Sequence, residues 1–334
     1  MRVRFGFTDD QVAFRDAVRD LLAKECTPAV VRAAWDAPAG ELDRGVWDSL
    51  DAMGVLGVLV PEDDGGLGLD ETYLVPVLEA AGQAALPHPL VETAMVAAPL
   101  LGAGAGLVSS DLGGPLVPCA ADADRLLLRQ GNTLVAVDRA AVELTPADTV
   151  DRARRAAWVE VRGVTPPDGR AASRGAGAHV VTDDPAARAL AADRGALGTA
   201  ALLIGLGQAM LDLAVGYVVE RHQFGKPIGS FQAVKHHLAD AALAIELSRP
   251  AVHRAAWSVA HGAPTRSRDV SMAKAMASDA AELVGRHALQ CHGAIGYTVE
   301  ADLHLFLKRT WALARAWGDS AHHTDRVADA LTAP

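Results

Sequence analysis

A chain of 334 residues, half of them apolar, is long enough to divide into two or three sub-domains around a large core. Its formal net charge of -10, with no basic stripe, excludes a nucleic-acid surface. Cys26, Cys119 and Cys291 stand too far apart for a disulfide framework or a metal knuckle, and MRVRFGFTDDQ has no apolar signal region, so free thiols and a cytoplasmic location are expected.

In chain order, Thr8 and Gln11 form a capping box before an apolar face of Phe14, Ala17, Val18, Leu21 and Leu22, which predicts a first helix. A second is expected near Arg44–Leu56, with Trp47, Leu50 and Met53 facing the core. It stops in VPEDDGGLGLD, whose glycines make a turn but which lacks the Lys and Ser/Thr of a phosphate-binding loop. A third helix is expected over Thr72–Ala85. The chain breaks at PHPL, and another helix runs to about Leu101.

Residues 102–115 read as a Gly-rich loop. From Leu116 the pattern shifts to short strands: LLLRQGNTLVAVD as a hairpin turning at Gln130–Asn132, then Val142–Leu144 and Trp158–Val161. Residues 164–178 read as a Pro/Gly/Arg-rich linker. From Asp193 the pattern is helical again, over 196–220, 231–261, 267–291 and 299–316, with Pro250 expected to kink or split the second of these near Arg249. The stretch 196–219 approaches membrane-span length, but Gly198, Gly205, Gly207, Gln208, Asp212 and Gly216 interrupt it, so a buried bundle helix and no membrane span are expected. The expected fold class is mostly α with a small β domain. It comprises an N-terminal α-helical domain over 1–115, a shortened middle β domain over 116–185 and a C-terminal four-helix bundle over 186–334.

Two stretches carry chemistry. In YVVERHQFGKPIGSFQAVKHHLAD (217–240) one helix ends, Gly225, Pro227 and Gly229 break the chain, and Phe231, Val234 and Leu238 begin the next helix. Arg221 and Lys226 beside a helix start suit an anionic group such as a phosphate, and Phe224 could cover an aromatic ring. The same residues also read as an ordinary connection with solvated charges. In QCHGAIGY (290–297), Gly293 and Gly296 end a helix and permit close backbone approach, while Gln290 offers an amide; the plain alternative is a helix C-cap. His236 and His237 are adjacent and face different sides of a helix, so no metal site is expected, and His322 and His323 read as surface residues. GLGQAM (205–210) lacks the third glycine and the preceding strand of a dinucleotide fingerprint.

Together RHQFGKPIGSFQAVKHHLAD (221–240), ALQCHGAIGYTVEADLHLFLKR (288–309) and GVLGVLVPEDDGGLGLD (54–70) resemble the FAD-dependent acyl-CoA dehydrogenase family over nearly the whole chain. The resemblance implies paired subunits, with each FAD at a dimer interface: one subunit holds the ADP half of a flavin seated mainly on its neighbour. Carried over by position, Arg221, Gln223 and Phe224 would contact the diphosphate and adenosine. Phe231 and Gln232 would continue that wall, and Gln290, Gly293 and Ala294 would line the other side, Ala294 standing where the family usually has a glycine. The implied reaction removes two hydrogens from an acyl-CoA thioester, a carboxylate taking the α-proton while the β-hydrogen leaves as hydride to the flavin.

The sequence departs from the family in two places. The glutamate position of the usual Tyr-Glu-Gly-Thr segment falls on Gly318 in Trp317-Gly318-Asp319-Ser320, and the alternative base position falls near Gly195. Asp319 and Asp193 are the nearest acids, and Asp319 is the candidate base. The Thr-Glu-Pro-x-x-Gly-Ser-Asp segment that cradles the flavin ring is missing between residues 100 and 185. This pattern resembles the short subunit of two-subunit, heterotetrameric acyl-CoA dehydrogenases, including those acting on steroid side chains. The expectation is a subunit that completes the FAD site of a longer paralogue. The alternatives are a self-sufficient homo-oligomer using Asp319, or a non-catalytic scaffold with the family fold.

Overall fold

The computed structural model describes residues 6–162 and 178–332; the expected linker at 164–178 lies, but for its last residue, outside them. The N-terminal part holds α1 (Asp9–Glu25), α2 (Pro28–Asp36), α3 (Gly45–Ala52), α4 (Glu71–Gln83) and, after a π-helical stretch over Val91–Ala97, α5 (Ala98–Leu101). The capping box forms as expected: the Thr8 amide donates to Gln11 Oε1 (2.8 Å) and the Gln11 amide to Thr8 Oγ1 (3.3 Å). Helix α2 was not anticipated. It starts on Pro28, whose missing N–H is no loss at the first helical position. Helix α3 is shorter than the pattern suggests, because Gly54 takes a left-handed conformation (φ 80°) and turns the chain.

The middle part holds β1 (Val108–Ser110), β2 (Arg125–Gln130), β3 (Thr133–Asp138), β4 (Val142–Pro146), β5 (Ala157–Val161) and β6 (Ala178–Thr182). One sheet has the order β1-β2-β3-β6 and β4 pairs with β5 in a second. The β2–β3 hairpin turns where the sequence placed it, with Gln130 opposite Thr133. Strand β1 pairs in parallel with β2 from within the stretch read as loop, so the sheet begins ahead of residue 116. Three residues are too few to show alternation, and the pairing that defines β1 is not local.

The C-terminal part holds α6 (Pro185–Glu220), a two-residue ladder of β7 (His222–Gln223) and β8 (Lys226–Pro227), α7 (Gln232–Ala260), α8 (Arg266–His292), α9 (Leu303–Arg315) and α10 (Ser320–Thr332). The bundle thus carries a fifth helix, α10, that the pattern missed. Helix α7 runs unbroken through Pro250, against the expected split. The ring projects from an exposed position, so it clashes with no neighbouring element, and one lost hydrogen bond is tolerated in so long a packed helix. The short connections make α6 and α7 antiparallel, and α7 and α8 likewise, so α6 and α8 end at the same end of the bundle.

Helix α6 is the axis of the molecule, packed on α4, α7, α8 and α9. It is long and apolar enough to cross a membrane by length and composition, but half of its most apolar window is buried by these neighbours. Its approach to α4 has no room for side chains. A Cβ on Gly205 would lie 2.0 Å from the Glu79 carbonyl oxygen, and one on Gly82 would lie 2.2 Å from that of Leu202.

The turn between α9 and α10 is fixed from below. Lys274, wholly buried on α8, donates to Ser278 Oγ (3.0 Å), Ala314 O (3.2 Å) and Gly318 O (2.9 Å). His323 is also wholly buried, contrary to its expected surface position. Its Nε2 lies 2.8 Å from Trp317 O and so carries the proton, leaving Nδ1 to accept from Ser271 Oγ at 3.2 Å. The pairing with His322 hid this, since only the outer member of the pair is exposed. Burial pushes Lys274 down to about 7 and His323 down to about 4.

Gly205→Ala should cost about 3 kcal/mol or more, because backbone rather than a flexible side chain meets the new methyl; urea denaturation checks this. Both lowered basic groups bind protons more tightly in the unfolded chain. Stability should therefore rise with pH from about 4 to 6.5 through His323, and from about 7 to 10.5 through Lys274. Each slope is at most about 1.4 kcal/mol per pH unit. Denaturation midpoints against pH should lose the acid limb in His323→Gln and the alkaline limb in Lys274→Met.

Candidate functional site

The parallel run of α6 and α8 brings the two signature stretches to one end of the bundle. Tyr217, in the last turn of α6, stacks on His292, the last residue of α8, with ring centroids 4.6 Å apart. Beyond this stack the chain turns outward in both segments. Arg221 closes α6 through its amide to Tyr217 O (2.9 Å), and its carbonyl accepts from the Ile228 amide (2.8 Å), closing the β7–β8 ladder. At the tip Phe224 (φ 54°) and Gly225 (φ 78°) are both left-handed, a conformation costly for phenylalanine. The strain presents the Phe224 ring to solvent at 91% exposure, edge-on to Phe231 at 6.2 Å. Lys226 Nζ sits 4.4 Å from the centre of the Phe231 ring, which holds its charge at the same place.

Helix α7 starts here, with Phe231 at its cap and no side chain bonded to its first amides. Free N–H groups at the start of a 29-residue helix, with Arg221 and Lys226 beside them, make an anion-binding end. On the other segment Gly293 has φ 63° and ψ -139°, a combination open only to glycine, and it swings the chain off α8. Gln290, Gly293 and Ala294 are exposed, as are Arg221, Gln223, Phe224 and Gln232; Phe231 is partly covered. Ala294 points to open surface, so the methyl in place of the family glycine crowds nothing within the chain. The arrangement has charge, amides and an aromatic face suited to a dinucleotide's diphosphate and adenine. These residues share one exposed surface at the end of the bundle. His237, read as no ligand, faces His287 with the two Nδ1 atoms 2.8 Å apart.

The second region is a cleft of about 740 Å³ between the β domain and the bundle. Asp111, Gly113, Leu128 and Arg129 form one side; Arg315, Trp317, Gly318, His322 and Arg326 form the other. Gly318, where the resemblance places the family's glutamate, lines it without a carboxylate. Asp319 is not among the lining residues. Its Oδ1 accepts from the His322 amide at 2.9 Å, which caps α10 and holds the carboxyl below its ordinary range while it remains exposed. Asp193 is buried and fully engaged, accepting from Arg266 Nε (2.8 Å), Ser267 Oγ (2.7 Å) and Arg326 (3.4 Å), so it is a structural ion cluster. Gly195 lies under the Trp317 ring, where a Cβ would fall 2.3 Å from the indole Cε3.

Among the described residues, the one carboxylate lining the cleft is Asp111, which sequence reasoning passed over. Burial raises its pKa, while the Arg129 amide (2.9 Å) opposes the shift. Its signal is faint, a single acid in the SSDLGG turn after a three-residue strand. Trp317, whose sequence position marks it only as a neighbour of the expected base, is the largest side chain lining the cleft. The cleft thus has no acid at Gly318 or Gly195, the positions that the resemblance implies for a base, and the Trp317 indole packs over Gly195.

Comparison with known proteins places these features in a lineage. Residues 8–106 match the description "Acyl-CoA dehydrogenase, N-terminal domain", and residues 186–332 match "Acyl-CoA dehydrogenase, C-terminal domain". Acyl-CoA dehydrogenase IpdE2 of Mycolicibacterium smegmatis is 32% identical over 332 residues, covering 96% of this chain and 98% of that protein. Among solved structures, the ChsE4-ChsE5 complex from Mycobacterium tuberculosis aligns with a TM-score of 0.85 at 23% identity, covering 99% of this chain and 100% of the matched one. The butyryl-CoA dehydrogenase of Megasphaera elsdenii aligns with a TM-score of 0.82 at 22% identity, covering 98% and 100%. At those identities the structures speak for the fold, while the sequence matches speak for descent. The chain belongs to the acyl-CoA dehydrogenase family, flavoprotein oxidoreductases that act on CH–CH groups.

Proposed function

We propose that this chain is the short subunit of an FAD-dependent acyl-CoA dehydrogenase and completes the cofactor site of a longer paralogue. The observation that carries this reading is the asymmetry between the two regions. The bundle end presents an exposed, strained and positively charged half-site, whereas the cleft carries no acid at either base position and has Trp317 against Gly195. The family is FAD-dependent, and the residues at the bundle end suit the ADP half of FAD. Arg221 and the free amides of α7 would hold the diphosphate, with Gln223 and Lys226 beside them. Phe224 and Phe231 would cover the adenine, Gln232 continues that wall, and Gln290, Gly293 and Ala294 form the opposite side. When bound, FAD supplies the hydride acceptor for the α,β-dehydrogenation of an acyl-CoA thioester. The base and the seat of the flavin ring would come from the partner chain. That one structural neighbour is a complex of two differently named proteins is consistent with such pairing.

The self-sufficient alternative needs a base from this chain. Asp319 serves it poorly: exposed, bonded to the His322 amide and acidified, it is built to cap a helix rather than to take a proton in a dry cleft. The cytoplasmic, heterotetrameric setting is part of the same reading.

Co-expressed with a longer paralogue, the pair should purify with about one flavin per two chains, while the chain alone carries little. About one flavin per chain when it is expressed alone would favour a homo-oligomer. Arg221→Ala should weaken flavin retention tenfold or more, the scale of one charge-assisted hydrogen bond of about 1.5–3 kcal/mol, read from flavin absorbance after dialysis. Asp319→Asn should leave the pair's turnover within about twofold; a fall of 10² or more would make Asp319 the base.

A further inference from the structure

On the proposed reading, the resemblance assigns the base position to Gly318, with an alternative near Gly195. The fold brings these two positions together, and the Trp317 indole stands at the point where they meet. A Cβ added to Gly195 would fall 2.3 Å from Cε3 and Cζ3 of the ring, and one added to Gly113 would fall 2.7 Å from its Nε1. The ring is therefore laid flat against two glycines that leave it room, one on α6 and one in the loop after β1.

Its backbone is fixed as firmly. Trp317 is left-handed (φ 60°) and its amide donates to Gly113 O at 2.8 Å. Its carbonyl accepts from buried His323, and the next carbonyl, of Gly318, accepts from buried Lys274. A side chain packed against two glycines and fixed along its main chain is a wall, not a gate. What remains of the cleft is edged by Arg129, Arg315, Arg326 and His322, groups that an aliphatic chain would have to desolvate.

We infer that Trp317 is a built-in occupant: its indole takes the seat of the acyl α- and β-carbons, so this chain's own cleft accepts no acyl chain. This deepens the shared-site reading and rests on it for the location of that seat. An assembly of one short and one long subunit then carries a single acyl group per pair, bound by the long one.

The test needs no flavin. The purified chain is titrated calorimetrically with CoA, butyryl-CoA and octanoyl-CoA. Wild type should bind all three alike within twofold, or none. Trp317→Gly should gain a preference for octanoyl-CoA over CoA of tenfold or more, because each buried methylene adds to binding. A tenfold octanoyl preference already present in wild type, or no gain in the variant, overturns the proposal. A companion cycle guards against a variant that does not fold: Gly195→Ala should lower the thermal midpoint of wild type markedly and that of Trp317→Leu far less. Equal losses in both backgrounds would show that the indole does not lie on Gly195. Acyl-length dependence of the chain alone bears on Trp317, whereas flavin content of the co-expressed pair bears on the shared site, so the two can fail separately.

Discussion

The near-contact of two backbones, α4 against α6, sets the geometry on which the remainder depends. At Gly82 and Gly205 each helix meets a carbonyl of the other with no side chain between them. That closeness makes α6 the shared axis of the N-terminal helices and the bundle. Once α6 is fixed, its far end fixes the RHQFG turn. Its third turn supplies Gly195 beneath the Trp317 ring and Asp193 to a buried ion cluster that ties α8 and α10 to it. Length alone would let this helix do other things; packing on both sides assigns it to the core.

The bundle end and the cleft are built on opposite physical terms. At the bundle end polar groups are left without partners, an aromatic ring is held out in water and backbone strain keeps it there. In the cleft the carbonyls of Trp317 and Gly318 accept from buried His323 and Lys274, and the space beside Gly195 is filled with indole.

Much of this was legible beforehand. The RHQFG and QCHGAIGY stretches declared themselves, because turn glycines, a cation and an aromatic at fixed offsets are local features. The long helices showed through their 3.6-residue period. What escaped depended on contacts between distant residues. Strand β1 exists only through its pairing with β2. His323 looks like its neighbour until α10 packs onto α8 and buries it. Pro250 carries a rule for helix breaking that a long, packed helix overrides. The role of Trp317 needed Gly195 and Gly113 to be seen beneath it, and no spacing in the sequence joins those three.

Arg309 shows how far such a chain can be pared down. From α9 its guanidinium crosses to the Leu86 carbonyl and to Asp151, both partners buried, joining the bundle to the N-terminal helices and to the connection between β4 and β5. Arg155 repeats the tie from the β domain, bonding Asp122 and the Ala37 carbonyl. Deleting the remaining β domain would strand a buried cation on α9 with no counter-charge, a loss far larger than that of any surface loop. The β domain is therefore not an appendage: a buried ion pair makes it an electrostatic plug for the helices on either side of it.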